Sequence, residues 1–144
     1  MALGPLTYKT PNQITYITSD LTGSEGCGLK LTAQGTVGLA TAQSDVPYGI
    51  VVVGAASIDG TYSPSGQVAA GALEIVDAFG AVVQVVAGAG AIAVGDLVGV
   101  TAGGVGTFVN SGFTAGEYIW GYALTAAPAG GQFLLRFAPY LIQP

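Results

Sequence analysis

The sequence predicts an all-β fold, a small β-barrel or β-sandwich of short antiparallel strands with an extended N-terminal arm. Glycine accounts for 24 of the 144 residues, and each interior glycine costs a helix about 1 kcal/mol. β-branched residues fill the stretches between the glycines, whereas Glu, Lys and Arg, which favour helices, are scarce. Turn-forming pairs such as Asp59-Gly60 and Phe79-Gly80 separate the apolar stretches, as between short strands.

Ten segments are predicted as strands because they are apolar, rich in β-branched or aromatic residues, and bounded by turn residues. They cover residues 13–18, 29–33, 36–41, 48–55, 72–77, 81–86, 97–101, 106–109, 117–125 and 132–138. The first part of the chain differs, since it holds Pro5, Pro11 and a polar stretch. We therefore expect an extended arm over residues 1–28 and a single β domain over residues 29–144.

Two parts of the sequence resemble each other. The stretch LKLTAQGTVGLATAQ…YGIVVVGAAS is similar to VGVTAGGVGTFVNS…WGYALTAAP, with Thr32 matching Thr101 and Gly49 matching Gly121. A small barrel or sandwich that is built from two similar β-halves would produce this pattern.

The composition indicates an assembly and excludes several function classes. Charged residues make up 8% of the chain, against about 25% in a typical soluble domain, so much of the surface is expected to be covered by partners. The three basic residues, Lys9, Lys30 and Arg136, form no cluster that could neutralise phosphates, so no direct nucleic-acid binding is predicted. There is no histidine, the single cysteine is Cys27, and the acids are scattered. We predict no catalytic residue, no cofactor and no metal site, and do not expect an enzyme.

Residues 82–100, VVQVVAGAGAIAVGDLVGV, allow two further interpretations. Gly88-x-Gly90-x-x-Ala93 begins like a dinucleotide-binding turn, but the glycines and valines that follow do not favour the helix which that site requires. Residues 78–95 carry no charge, yet Gln84 and four glycines divide them into pieces of strand length, so no membrane span is predicted. The N-terminus also has no signal-peptide pattern. Two strands joined by an Ala-Gly connection explain the stretch better.

An aromatic row occurs in the segment EYIWGYAL. At strand spacing Tyr118, Trp120, Tyr122 and Leu124 share one face. Such a face packs in a core, forms a subunit interface, or stacks on sugar rings, and Tyr and Trp are enriched at interfaces.

The segment QFLLRFA is apolar on both faces. Phe133, Leu135 and Phe137 share one face, while Leu134 and Arg136 share the other. One face is expected to pack on the core and the other on a neighbouring subunit, where Arg136 bonds a carboxylate or backbone carbonyls. The predicted subunit interface comprises Trp120, Tyr122, Leu134 and Arg136.

The C-terminal half, AIAVGDLVGVTAGGVGTFVNSG…IWGYALTAAPAGGQFLLRF, resembles the tailed-bacteriophage head decoration (capsid cement) proteins. The matching signals are an Ala/Ile-x-x-Gly-Asp-x-Val turn at residues 92–98, a Gly-Thr hairpin at Gly106-Thr107, and a Gly-x-Ala-Leu-x-Ala-Ala-x-Ala-Gly segment at residues 121–130. The resemblance covers roughly residues 26–138.

The resemblance implies a structural role without catalysis. Members of this family are commonly homotrimers that sit on the outer surface of the head and bridge subunits of the major capsid protein. We therefore expect a protein that is made in the host cytoplasm and located in the virion, with Leu6, Tyr8 and Tyr16 of the arm contacting the capsid. One alternative is a carbohydrate- or receptor-binding module of a phage fibre or cell surface that uses the aromatic row. Another is a bacterial shell or surface-lattice protein that assembles alone.

Overall fold

A computed structural model describes residues 16–17, 20–31, 37–54, 67–68 and 74–144. These residues contain no helix, which confirms the all-β prediction. The strands are β1 (Tyr16–Ile17), β2 (Gly28–Leu31), β3 (Val37–Leu39), β4 (Pro47–Val53), β5 (Gln67–Val68), β6 (Glu74–Val76), β7 (Val82–Val86), β8 (Leu97–Val100), β9 (Phe108–Val109), β10 (Tyr118–Ala123) and β11 (Gln132–Leu141).

The strands form two sheets. The first has the order β5-β1-β3-β2-β4-β6 and the second the order β7-β11-β10-β8-β9. All ladders between the strands are antiparallel except β1–β3. A parallel bridge joins Ala87, next to β7, to Phe108 on β9, and the Gly88 N–H donates to the Phe108 carbonyl at 2.7 Å. The second sheet therefore closes on itself as a five-stranded barrel.

The two sheets repeat one pairing pattern, and the register agrees in every ladder that they share. The equivalent pairs are Ile17–Val37 and Ala87–Phe108, Leu31–Val37 and Val100–Phe108, Leu29–Gly49 and Val98–Gly121, Gly28–Ile50 and Leu97–Tyr122, and Ile50–Val76 and Tyr122–Arg136. We call β1–β6 the N-terminal repeat and β7–β11 the C-terminal repeat. The structure thus confirms the predicted pair of similar halves and the match of Gly49 with Gly121.

The turns before equivalent strands are repeated as well. Gly26 precedes β2 with φ of 84°, and Gly95 precedes β8 with φ of 87°. The N–H of Gly26 donates to the Val51 carbonyl and that of Gly95 to the Ala123 carbonyl, both at 2.8 Å. Because residues with a side chain rarely adopt this left-handed φ, glycine is favoured at the same point of both repeats.

The repeats differ in how the last strand closes the pattern. β11 is ten residues long; residues near its start pair with β7, and residues from its middle onward pair with β10. In the N-terminal repeat two separate strands take these places, since β5 pairs with β1 and β6 with β4. The sequence did not predict β5, and the predicted Asp59-Gly60 turn lies outside the described residues.

Each repeat has its own buried cluster. The N-terminal cluster contains Ile17, Leu21, Leu29, Val37, Val51 and Ile75. The C-terminal cluster contains Ala40, Ile50, Val83, Val85, Ala87, Ile92, Val98, Val100, Phe108, Trp120, Ala123, Ala127, Phe133, Leu135 and Phe137. At its centre Phe108 lies edge-on to both Trp120 and Phe133, with ring centroids 5.6 and 6.4 Å apart, an arrangement that aromatic pairs favour.

The outer side of the N-terminal repeat packs on the C-terminal repeat. Ile50 lies on β4 but is fully buried in the C-terminal cluster. A Cβ at Gly28 would lie 2.8 Å from Cζ3 of Trp120, so the close approach of β2 to the indole requires glycine. The Gly28 N–H also donates to the Gly106 carbonyl at 2.9 Å. The two repeats therefore share one continuous packing interface.

The boundary predicted at residue 28 is not where packing begins. Ile17 and Leu21 are fully buried in the N-terminal cluster, because β1 supplies a strand to the first sheet. The residues that precede Tyr16, including Leu6 and Tyr8, lie outside the described part of the chain. The arm is a prediction for those residues alone.

A candidate subunit interface

Among the titratable side chains of the described residues, one ion pair occurs, between Lys30 and Asp45 at 3.5 Å. No group of three or more His, Cys, Asp or Glu residues there could hold a metal ion. Cys27 is 8% exposed, and burial, with a smaller contribution from Glu25, raises the pKa of its thiol. A thiol that stays protonated is a weak nucleophile. No helix in the described residues is long and apolar enough to cross a membrane.

Three of the acids close turns. In each case the carboxylate accepts a hydrogen bond from the backbone N–H of the residue three positions earlier. The donors and acceptors are Ala42 and Asp45, Ala93 and Asp96, and Thr114 and Glu117, at 2.8–2.9 Å. Asp96 also accepts a 2.6 Å hydrogen bond from the side-chain amide of Asn110. The hydrogen bonds from Asn110 and Ala93 lower the pKa of the Asp96 carboxyl because they stabilise its charged form. The Gly-Asp turn thus fixes the start of β8.

Four side chains form a stripe across the outside of the C-terminal barrel. Val82, Arg136, Tyr122 and Leu97 stand side by side on β7, β11, β10 and β8, each pairing with the next across a ladder. Leu97 is 50% exposed, Val82 47% and Tyr122 38%. We call these four residues the outer stripe. Its three apolar or aromatic members are thus partly exposed to solvent.

Arg136 lies within the outer stripe and is half-buried. Its guanidinium donates to the Gly80 carbonyl at 2.9 Å, so it bonds a backbone carbonyl, as predicted, but one of its own chain. A guanidinium has five N–H donors, and further donors remain for a partner. Leu134 also lies on the outer side of β11 and is 39% exposed. Opposite them, Phe133 and Phe137 are buried, which confirms the predicted division of this strand into two faces.

The prediction that Tyr118, Trp120 and Tyr122 share one face is wrong. The pairing of β10 with β11 shifts register between Ile119 and Gly121, and Gly121 has φ of 153°. The alternation of side chains changes at this glycine, so Trp120 points into the core while Tyr122 points outward. Trp120 is fully buried and has no surface with which to contact a second subunit. Of the predicted interface residues, Tyr122, Leu134 and Arg136 remain at the surface.

An apolar groove of about 670 Å³ adjoins the outer stripe. Its apolar lining consists of Leu97, Phe113, Ile119, Tyr140, Leu141 and Ile142. Leu97 belongs to both features, so stripe and groove form one continuous surface. The sequence did not predict the groove because β11 runs to Leu141, beyond the predicted end at residue 138, and because the other lining residues are distant in sequence.

No family model matches the sequence, and no curated protein matches it. The candidate site therefore depends on the geometry of this chain.

Proposed function

We propose that this protein is a structural cement protein of a phage head, which binds the outer surface of the capsid as a homotrimer and bridges major capsid protein subunits. The observation that carries the proposal is the outer stripe with its adjoining groove. Only 8% of the residues are charged, and the closed barrel exposes apolar side chains in the outer stripe. A soluble monomer usually has polar and charged residues at such positions, so an exposed apolar surface indicates a binding site.

The turn motifs that carry the family resemblance support the same function. The Gly-Asp turn before β8 and the hairpin at Gly106 belong to the C-terminal repeat, and the segment at residues 121–130 connects β10 to β11. These motifs therefore build the barrel that carries the outer stripe. The chemistry described above also fits a binding role, since the acids close turns and the cysteine is buried.

The proposed mechanism is stabilisation by mass action. A protein that binds only the assembled shell stabilises it by RT ln(1 + [L]/Kd) at each site. A head presents many equivalent sites, so modest contacts at each site sum to resistance against internal genome pressure. No bond is made or broken in this mechanism, and none of the described side chains needs to react.

Binding to heads tests the capsid role. Heads assembled from the major capsid protein encoded in the same genome are incubated with the full chain and sedimented. We expect the full chain to sediment with the heads in a fixed ratio and to raise their melting temperature. A chain that lacks residues 1–15 still contains β1 and all later strands. We expect this truncated chain to keep its fold and to lose head binding. Full binding by this truncated chain would contradict the role of Leu6 and Tyr8, and failure of the full chain to bind would contradict the capsid proposal.

The carbohydrate- or receptor-binding alternative has lost the feature that suggested it, because Trp120 is enclosed and only Tyr122 of the row lies clearly outward. Tyr140, at the groove, is the other exposed tyrosine of this region. A glycan array probed with the full chain and with the Tyr122→Ser and Tyr140→Ser variants separates the functions. The carbohydrate-binding function would be favoured if the full chain bound a glycan, each of the two variants lost that binding, and the full chain did not bind heads.

A further inference from the structure

We propose that the C-terminal repeat of one chain docks on the N-terminal repeat of a second copy, through the outer stripe and in the same way that the two repeats dock within one chain. This inference rests on the homo-oligomer of the proposed function and specifies how its subunits meet. The contact is head-to-tail, so it joins two different surfaces and can close into a ring. Three chains would form a ring of six repeats.

The junction within the chain supplies the template. The N-terminal repeat presents Gly28, Ile50 and Val76, which lie side by side on β2, β4 and β6. Ile50 is fully buried in the C-terminal cluster, and Val76 packs against that cluster. Gly28 lies against the indole of Trp120. This side of the N-terminal repeat is therefore covered by the C-terminal repeat.

The same positions of the C-terminal repeat are uncovered. By strand register, Leu97 is equivalent to Gly28, Tyr122 to Ile50 and Arg136 to Val76, as the pairs Leu97–Tyr122 and Tyr122–Arg136 show. Leu97 and Tyr122 are exposed, whereas their counterparts are buried. This side of the N-terminal repeat packs on the C-terminal repeat of the same chain, whereas the equivalent side of the C-terminal repeat faces solvent.

The receiving surface also has a counterpart. Within the chain, Trp120 receives Gly28, and the ring of Phe137 lies 6.2 Å from the indole. Register places Tyr48 of β4 at the position of Trp120, because Gly49 is equivalent to Gly121. Tyr48 is half-buried and packs against the N-terminal cluster. In the proposed contact Tyr48 takes the place of the larger Trp120, and Leu97 takes the place of Gly28. The smaller aromatic side chain leaves room for the larger leucine, so the two changes compensate in size.

The charges that differ between the two junctions are complementary. On the docking side, Arg136 stands where the N-terminal repeat has Val76. On the receiving side, Asp77 follows β6 where the C-terminal repeat has Phe137, and its Cβ lies near Gly49. In the described residues the one ion pair joins Lys30 to Asp45, which leaves both Arg136 and Asp77 without a charged partner there. Burial raises the pKa of the Asp77 carboxyl, and a neighbouring guanidinium would lower it by favouring the charged form.

Charge reversal tests the head-to-tail contact. The variants are Arg136→Asp, Asp77→Arg and the double variant that carries both changes, and their masses are measured in solution by light scattering over a range of concentrations. We expect the wild type to form trimers, each single variant to need ~10-fold or more higher concentration to assemble, and the double variant to assemble like the wild type. Asp20→Arg, which alters an exposed acid by the same charge, should not affect assembly.

The outcomes separate this inference from the proposed function. A trimer that Asp77→Arg leaves intact would overturn the head-to-tail contact while the homotrimer of the cement proposal stands. A double variant that stays dissociated, although fluorescence shows that Trp120 remains buried, would also overturn it. A wild-type chain that is monomeric at all concentrations yet sediments with heads would overturn the self-docking surface and leave capsid binding in place.

Discussion

Replacing Gly121 with alanine is expected to destabilise the protein more than any other single addition of a methyl group at the glycines of the C-terminal barrel. An alanine Cβ at this position would lie 1.9 Å from the carbonyl oxygen of Arg136 and 3.1 Å from Cδ1 of Leu135. The first contact is with backbone, so no side-chain rotation can relieve it. β10 and β11 would have to separate at the point where the alternation of β10 changes.

Two terms contribute to the expected loss. Inserting a methyl group into a packed site costs about 1–3 kcal/mol. Holding alanine at the φ of Gly121, which is 153°, costs about 1–3 kcal/mol more. The sum, about 2–6 kcal/mol, is a large part of the 5–15 kcal/mol that stabilises a typical domain.

A series of glycine-to-alanine variants separates the two terms in urea denaturation. Gly90 has open space around it and no left-handed φ, so its variant should be neutral. Gly130 has φ of 73° and open space, which isolates the backbone term. Gly49 has no left-handed φ, but a Cβ added there would lie 2.7 Å from the Val76 carbonyl oxygen, which isolates the packing term. With a mid-range urea slope of about 2 kcal/mol per M, the midpoint of Gly121→Ala should fall by roughly 1–3 M.

The ranking of the four variants decides the outcome. We expect Gly121→Ala to lose more stability than either Gly130→Ala or Gly49→Ala, with Gly90→Ala unchanged. A Gly121→Ala midpoint within error of the Gly90→Ala midpoint would refute the close approach of β10 and β11 at Gly121.

Two further predictions concern ionisable groups. The hydrogen bonds to Asp96 lower the pKa of its carboxyl in the folded state, so its contribution to stability is present above the unfolded pKa and is lost as pH falls through the folded pKa. Urea midpoints measured between about pH 5 and pH 2 should therefore fall less for Asp96→Asn than for the wild type; equal falls would contradict the turn geometry. For Cys27, burial raises the thiol pKa, so a thiol reagent at neutral pH should react slowly with the folded chain and at least about tenfold faster in urea. Fast reaction without urea would show that the thiol is accessible.

Local sequence signals predicted most strands because they depend on neighbouring residues. Segments of β-branched and aromatic residues between glycine turns correspond to β2, β4, β7, β8, β10 and β11, with ends that differ by a few residues. The strand Gln67–Val68 was missed because the residues around it, SPSG before and AAG after, form no β-branched or aromatic segment. β11 extends past its predicted end to Leu141, since pairing with β10 continues there although Pro139 interrupts the apolar pattern.

The surface position of three predicted interface residues follows from the sequence, whereas their role in an interface stays a prediction. Tyr122, Leu134 and Arg136 were found because alternation along a strand gives each side chain a face, and that face is exposed in the structure. Trp120 was assigned to the same surface because the sequence shows Gly121 as one more glycine and does not show its φ. The adjoining groove escaped prediction, since its lining comes from the start of β8, the loop around Phe113 and the end of β11.

By itself the sequence determined the all-β class, the positions of most strands and the duplication, because glycine spacing and residue type act over a few neighbours and recur in both halves. Only the tertiary structure decided that the C-terminal repeat closes into a barrel and that the two repeats share a junction at Gly28 and Trp120. It also decided that the outer stripe is left uncovered. These outcomes depend on which distant strands pair and on how closely their backbones approach, which no local pattern encodes.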